Sequence, residues 1–118
     1  MITADKFRMV VVSNRLPVTI ESRPDGVRVD PSSGGLVTAL RPLLNDCAGL
    51  WIGWTGTDES PEIERVLARY SQHSNFELKP IFMTAEERCR FYFGFSNEVL
   101  WPLFHDLQSL CNFNPDYW

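Results

Sequence analysis

The stretch Met9-Val10-Val11-Val12-Ser13-Asn14-Arg15-Leu16-Pro17 constrains the fold more than any other. Four apolar residues in a row, three of them β-branched, are too few for a helix, and the polar triplet and proline behind them end the run at once. A continuous apolar run of that length is a strand buried in a parallel sheet. Arg15 then falls at the strand's carboxyl end, the edge at which open α/β sheets bind ligands, where a guanidinium is placed to grip an anion. Taken alone, Arg15 could equally be a solvated strand-end charge.

The remaining pattern alternates strands and helices. Val18-Thr19-Ile20-Glu21 and Val27-Arg28-Val29-Asp30 alternate apolar and polar around Arg23-Pro24-Asp25-Gly26, which predicts a β-hairpin inserted after the first strand. Ser33-Gly34-Gly35 opens a helical pattern with Leu36, Val37, Leu40, Leu43 and Leu44 on one face. Ser33 can cap that helix, and Pro42 should bend or shorten it. Gly34 and Gly35 carry no side chains where a phosphate would meet free backbone N–H groups, although a tight turn explains them as well.

Residues 50–56 read as a second strand, aromatic through Trp51 and Trp54, with Trp51 in the core and glycines where the backbone passes close to something. Asp58 to Glu62 start a helix through a proline at its first turn and several acids, and Ile63, Val66, Leu67 and Tyr70 carry it to about His73. A third strand over residues 76–83 is demoted to an edge by Pro80. Thr84 and Glu87 form a capping box for a helix that Gly94 should stop near Phe93. Ser96 should cap another, running to about Leu107 with Val99, Leu100, Leu103, Phe104 and Leu107 on its apolar face. Pro102 fits this last helix only near its first turn. Asn114-Pro115-Asp116 is one more helix start, followed only by Tyr117 and Trp118, and suggests a chain cut short.

Composition narrows the class of function. At 118 residues and 44% hydrophobic content the chain can bury a core. Its formal net charge of −4, with no Lys/Arg cluster, argues against nucleic acid or an anionic membrane as partner. The first eight residues hold no apolar core of a leader, and Cys47, Cys89 and Cys111 are odd in number and widely spaced, which fits reduced thiols in a cytoplasmic protein. No metal-ligand spacing is present, so no metal or cofactor is expected, and His73 and His105 read as ordinary surface or core histidines.

Taken together in this order, the segments Val-Ser-Asn-Arg-Leu-Pro, Ser-Ser-Gly-Gly-Leu, Trp51-Ile52-Gly53-Trp54 and the long string from Tyr92 through Trp101 to His105 resemble the start of the trehalose-6-phosphate synthase family. The resemblance runs from residue 9 to residue 118. It implies an α/β fold, a Rossmann-like, mostly parallel sheet with a hairpin insertion. Residues 1–118 would form an incomplete N-terminal, acceptor-binding domain of a retaining GT-B glycosyltransferase, whose C-terminal nucleotide-sugar domain is absent.

The resemblance also implies roles. Arg15, Tyr92 and Trp101 match positions that hold the acceptor, glucose 6-phosphate; Gly34 and Gly35 match the loop that meets the donor, usually UDP-glucose; and Trp54 matches an aromatic near the sugars. No catalytic acid or base is among them, in keeping with a family in which the donor's leaving phosphate takes the acceptor's proton. Singly, Tyr92 and Trp101 also fit core aromatics with a satisfied polar tip. The substrates implied are small molecules, with ADP or GDP open as donor nucleotide and a homo-oligomer possible for the parent. The isolated piece is expected to be inactive. A regulatory subunit that binds sugar phosphate, or a related synthase such as a glucosylglycerol-phosphate synthase, would carry the same motifs.

Overall fold

A computed structural model of the chain describes residues 8–117; the leader reading at residues 1–7 and the end of the resemblance at Trp118 lie outside the described residues. The chain divides into two compact units, the first ending at Phe82 and the second beginning at Met83. In the first unit, strands β1 (Val10–Arg15), β4 (Leu50–Trp54) and β5 (Glu77–Ile81) form a parallel sheet in the order β1-β4-β5. Strands β2 (Val18–Arg23) and β3 (Gly26–Pro31) make the expected antiparallel hairpin, turning at Pro24-Asp25.

Helices α1 (Gly35–Asp46) and α2 (Pro61–His73) connect the strands. The core lies where they meet the sheet and the hairpin, and gathers Leu16, Val18, Leu44, Trp51, Ile63, Leu67, Phe76 and Leu78. Trp51 has no exposed surface, and its indole Nε1–H donates to Ser13 Oγ at 2.7 Å, so the largest core side chain also anchors the end of β1. Helix α2 begins at Ser60 with Pro61 in its first turn and Glu62 and Glu64 behind it, ends at His73, and buries Ile63 and Leu67.

Several expectations fail for identifiable reasons. β1 is parallel but is an edge strand: Val10 is 52% and Val12 70% exposed, because β4 is its one neighbour among the described residues. The apolar run therefore marks a strand but not a buried one. Helix α1 runs through Pro42 to Asp46 without being shortened, and of its five apolar residues Leu44 alone is buried, Leu36 and Leu43 being exposed. Its N-cap is Gly34, not Ser33, and no side chain caps it.

The second unit departs further. The capping box forms as expected, with Glu87 N–H donating to Thr84 Oγ1 at 3.1 Å and Thr84 N–H to Glu87 Oε2 at 2.8 Å. Helix α3 (Ala85–Arg88) then passes straight into a π-helix (Cys89–Leu100) and on into α4 (Trp101–Phe104). Gly94 stops nothing, and Ser96 caps nothing. Gly94 is bare because the Tyr117 ring lies against it; a Cβ there would stand 2.7 Å from two ring carbons. The helix ends at Phe104 rather than near Leu107, where Asp106 takes a positive φ of 58°, and Leu103, Phe104 and Leu107 are exposed. Pro102 does lie in the first turn of α4, and is buried. Single 3-10 turns follow at Gln108–Leu110 and Pro115–Tyr117, the latter with Asn114 Oδ1 accepting from Asp116 N–H at 3.0 Å. No helix among the described residues is long and apolar enough to cross a membrane.

Candidate functional site

Arg15 stands at the carboxyl end of β1, and the backbone on both sides of it is tied down. Ser13 Oγ donates to the Arg15 carbonyl at 2.7 Å while accepting from Trp51, and Leu16 N–H donates to the Trp54 carbonyl at 2.9 Å. The register of β1 on β4 slips between Val12 and Arg15, and the backbone of residues 13–16 closes onto Gly53, where a Cβ would stand 2.9 Å from Arg15 carbonyl carbon. That close approach is why a glycine interrupts so aromatic a strand.

The Arg15 guanidinium lies over the Trp54 ring at 5.2 Å from the ring centroid. The same guanidinium also passes close by Gly56, whose φ is +81° and where any Cβ would run into it. Arg15 and Trp54, two of the sequence candidates, are thus brought together. The close approach expected at Gly56 is real, and its partner, which the sequence reading did not name, is Arg15. Arg15 is exposed and pairs with no carboxylate among the described residues, unlike Arg23, Arg28 and Arg90, which lie within 2.6–2.7 Å of Glu21, Asp30 and Glu86. Exposed, near one aromatic ring and with no carboxylate partner among the described residues, it can accept a bidentate anion.

Gly34 and Gly35 stand at the start of α1, both exposed; a Cβ at either would meet nothing within 4 Å. With no side-chain cap, the first N–H groups of this 12-residue helix are left for solvent or an anion. A separate hollow of about 430 Å³ between the hairpin and the start of α2 contains none of the candidates, and its carboxylates Asp58, Glu59 and Glu62 suit no anion.

Tyr92 and Trp101 both belong to the second unit, Tyr92 inside the π-helix and Trp101 at its end. Tyr92 is half-buried and meets Phe93 edge to face at 5.1 Å between centroids. Trp101 is 55% exposed, with one indole face covered by His105 at 3.9 Å and 15°. His105 Nδ1 lies 2.7 Å from the Trp101 carbonyl. A carbonyl can only accept, so Nδ1 carries the proton and donates. His105, expected to be an ordinary histidine, therefore braces the indole.

Beside them, Glu98 Oε2 accepts from Tyr117 Oη at 2.5 Å and from Asn112 Nδ2 at 2.7 Å. These bonds, Tyr117's first, hold the Glu98 carboxyl below its ordinary value, and the bond to Glu98 pushes the Tyr117 phenol up. Cys47, Cys89 and Cys111 are free thiols, and the described residues contain no His/Cys/Asp/Glu group able to hold a metal ion.

A parallel sheet with helices on its connections, an arginine at its carboxyl edge and an uncapped glycine turn opening a helix defines a Rossmann-like α/β domain. The family model for glycosyltransferase family 20 matches residues 7–118, and the chain belongs to that family. It is 44% identical over 110 residues to the trehalose-6-phosphate synthase of Mycolicibacterium smegmatis, which covers 92% of this chain and 21% of that protein. The crystal structure of an alpha,alpha-trehalose-phosphate synthase (UDP-forming) from Burkholderia vietnamiensis matches with a TM-score of 0.64 at 26% identity, over 93% of this chain and 22% of that one. The E. coli protein bound with UDP-2-fluoro glucose matches with a TM-score of 0.61 at 26% identity, over 95% and 21%. The chain thus spans about a fifth of the length of these relatives, and its fold is that of the N-terminal part of a GT-B enzyme.

Proposed function

We propose that this chain is the acceptor-binding, N-terminal part of a trehalose-6-phosphate synthase, which transfers glucose with retention from UDP-glucose, or another nucleotide-glucose, to glucose 6-phosphate. Residues 1–118 form an incomplete domain of that enzyme, and the nucleotide-sugar domain lies beyond them. The observation that carries the reading is Arg15: a guanidinium over the Trp54 ring, paired with no carboxylate among the described residues, at the sheet edge where this fold binds ligands. The phosphate of the acceptor fits its fork. Tyr92 and Trp101 donate a phenol O–H and an indole N–H to the same acceptor, the turn at Gly34 and Gly35 lets the donor approach backbone N–H groups, and Trp54 lies near the sugars.

None of these groups is an acid or a base, so this part of the enzyme works by placing the acceptor hydroxyl against the donor's anomeric carbon. Proton transfer falls to the donor's own leaving phosphate. The relatives named above support the substrates: one is UDP-forming by name, and another is bound with a UDP-glucose analogue.

Steady-state kinetics of the full-length protein test the reading. Arg15→Ala should raise the KM for glucose 6-phosphate by about 100-fold, a charge-assisted bidentate contact being worth roughly 3 kcal/mol, with donor KM little changed. Arg15→Lys should recover only part of this, since a point charge does not reproduce the fork. An unchanged acceptor KM in Arg15→Ala sinks the assignment, and binding of glucose 6-phosphate without any turnover would favour a regulatory subunit.

A further inference from the structure

Trp101 follows Tyr92 by nine positions. In an α-helix, at about 100° per residue, that spacing sets two side chains about 180° apart, on opposite sides. In an i→i+5 helix of roughly 4.4 residues per turn, nine positions make about two full turns and return the second side chain to within about 20° of the first. The π register thus puts Tyr92 and Trp101 on one face, and Trp101 is still inside that ladder, because its N–H donates to the Ser96 carbonyl. Burial agrees. Gly94 and Val99, the two buried residues of the π-helix, are five positions apart, about 50° from each other in this register and about 140° apart in an α-helix.

Long π segments are rare and need support. Pro102 supplies one part of it. In an α-helix the Glu98 carbonyl would accept from the N–H of residue 102, but proline has none, and its ring would strike that carbonyl. The orphaned Glu98 carbonyl accepts instead from Asn112 N–H at 2.9 Å. The Glu98 carboxylate takes Tyr117 Oη and Asn112 Nδ2, while the Tyr117 ring fills the space over Gly94. Residues 112–117 are therefore clasped onto the inner side of the π-helix at positions 94 and 98.

We propose that this clasp, Glu98 with Tyr117 over Gly94, is a positioning device of the acceptor site. It holds residues 89–100 in the π register, and the register presents the Tyr92 phenol and the Trp101 indole to one ligand. Glu98 and Tyr117 touch no substrate and act through those two side chains. The inference rests on the reading of Tyr92 and Trp101 as acceptor ligands, and its test separates the two.

The experiment is steady-state kinetics of the full-length protein with glucose 6-phosphate and UDP-glucose, alongside thermal melting. Glu98→Ala and Tyr117→Phe should each raise the acceptor KM at least about tenfold while leaving the donor KM and kcat nearly unchanged, as small misplacements of positioning groups do. Glu98→Gln, whose amide oxygen still accepts from Tyr117, should restore most of the loss. In a background that carries both Tyr92→Phe and Trp101→Ala, Glu98→Ala should add less than about twofold, because the clasp acts only through those two side chains. If Glu98→Ala does not fold, Tyr117→Phe, which removes a single oxygen, carries the measurement. Full additivity, an unchanged acceptor KM, or a loss that falls equally on both substrates and follows melting temperature would overturn the clasp. Should Trp101→Ala and Tyr92→Phe leave the acceptor KM unchanged, the acceptor assignment itself fails and takes the clasp with it.

Discussion

Arg15 owes its aim to glycines more than to charged neighbours. Gly53 lets the end of β1 close onto β4, and Gly56 leaves the space that the guanidinium occupies beside Trp54. Gly56→Ala adds a Cβ that would run into the guanidinium, at a φ of +81° that L-residues rarely adopt. The substitution should therefore cost about 1–2 kcal/mol of stability and also swing Arg15 off Trp54. Urea denaturation checks the first effect, and the acceptor KM of the full-length protein the second. A variant destabilised by this amount but with wild-type acceptor KM would show that Arg15 does not need the gap. Arg15 itself was legible in the sequence, since a polar triplet after an apolar run has to leave the sheet there. At Gly56 a close approach was legible but its partner was not, because that partner is the tip of a side chain 41 positions away.

At the scale of elements, what local chemistry dictates was readable and what distant contacts dictate was not. The hairpin turn, the Thr84 capping box and the Ser60-Pro61 start of α2 each lie within a few residues, and each formed as their sequence implies. The π-helix has no local signature. Gly94 imitates a helix stop, and Pro102 makes sense only once Asn112, ten positions on, is seen to serve the Glu98 carbonyl. The clasp has a proton-linked signature. The depressed folded pKa of Glu98 makes its contribution present above its unfolded value near 4.3, and lost as pH falls through the folded value. The raised pKa of Tyr117 makes its contribution present below its unfolded value near 10, and lost as pH rises through the folded one. Besides Glu98, the groups facing the phenol include Asn112, whose Nδ2 donates to it at 3.4 Å, Asn114, whose hydrogen bond opposes the rise, and Cys89, whose thiolate charge adds to it. The stability difference between wild type and Tyr117→Phe, from denaturant titrations, should be flat across neutral pH and shrink in acid, below the ordinary carboxylate range. A difference as large in acid as at neutrality would show that Glu98 does not anchor the phenol.

For the whole chain, the two outer strands of the parallel sheet are unequally protected. At one side β5 carries Lys79 and Pro80, a charge and a residue without an N–H, both of which discourage further pairing. At the other, β1 begins Val-Val-Val with Val10 and Val12 exposed, and nothing among the described residues pairs with its outer side. An apolar, uncharged opening stretch on an unpaired outer side is a template for another chain. The 118-residue chain made by itself should therefore self-associate through β1 and not through β5. Val12→Lys places a charge on that edge at little cost in stability, since Val12 is already largely solvated. Sedimentation velocity over rising concentration should show oligomers for the wild-type chain, monomers for Val12→Lys, and oligomers still for Ile81→Lys on β5. The reverse pattern, with Ile81→Lys dispersing the chain and Val12→Lys leaving it associated, would mean that the first strand is not the exposed template and that the sheet is blunted at the wrong end.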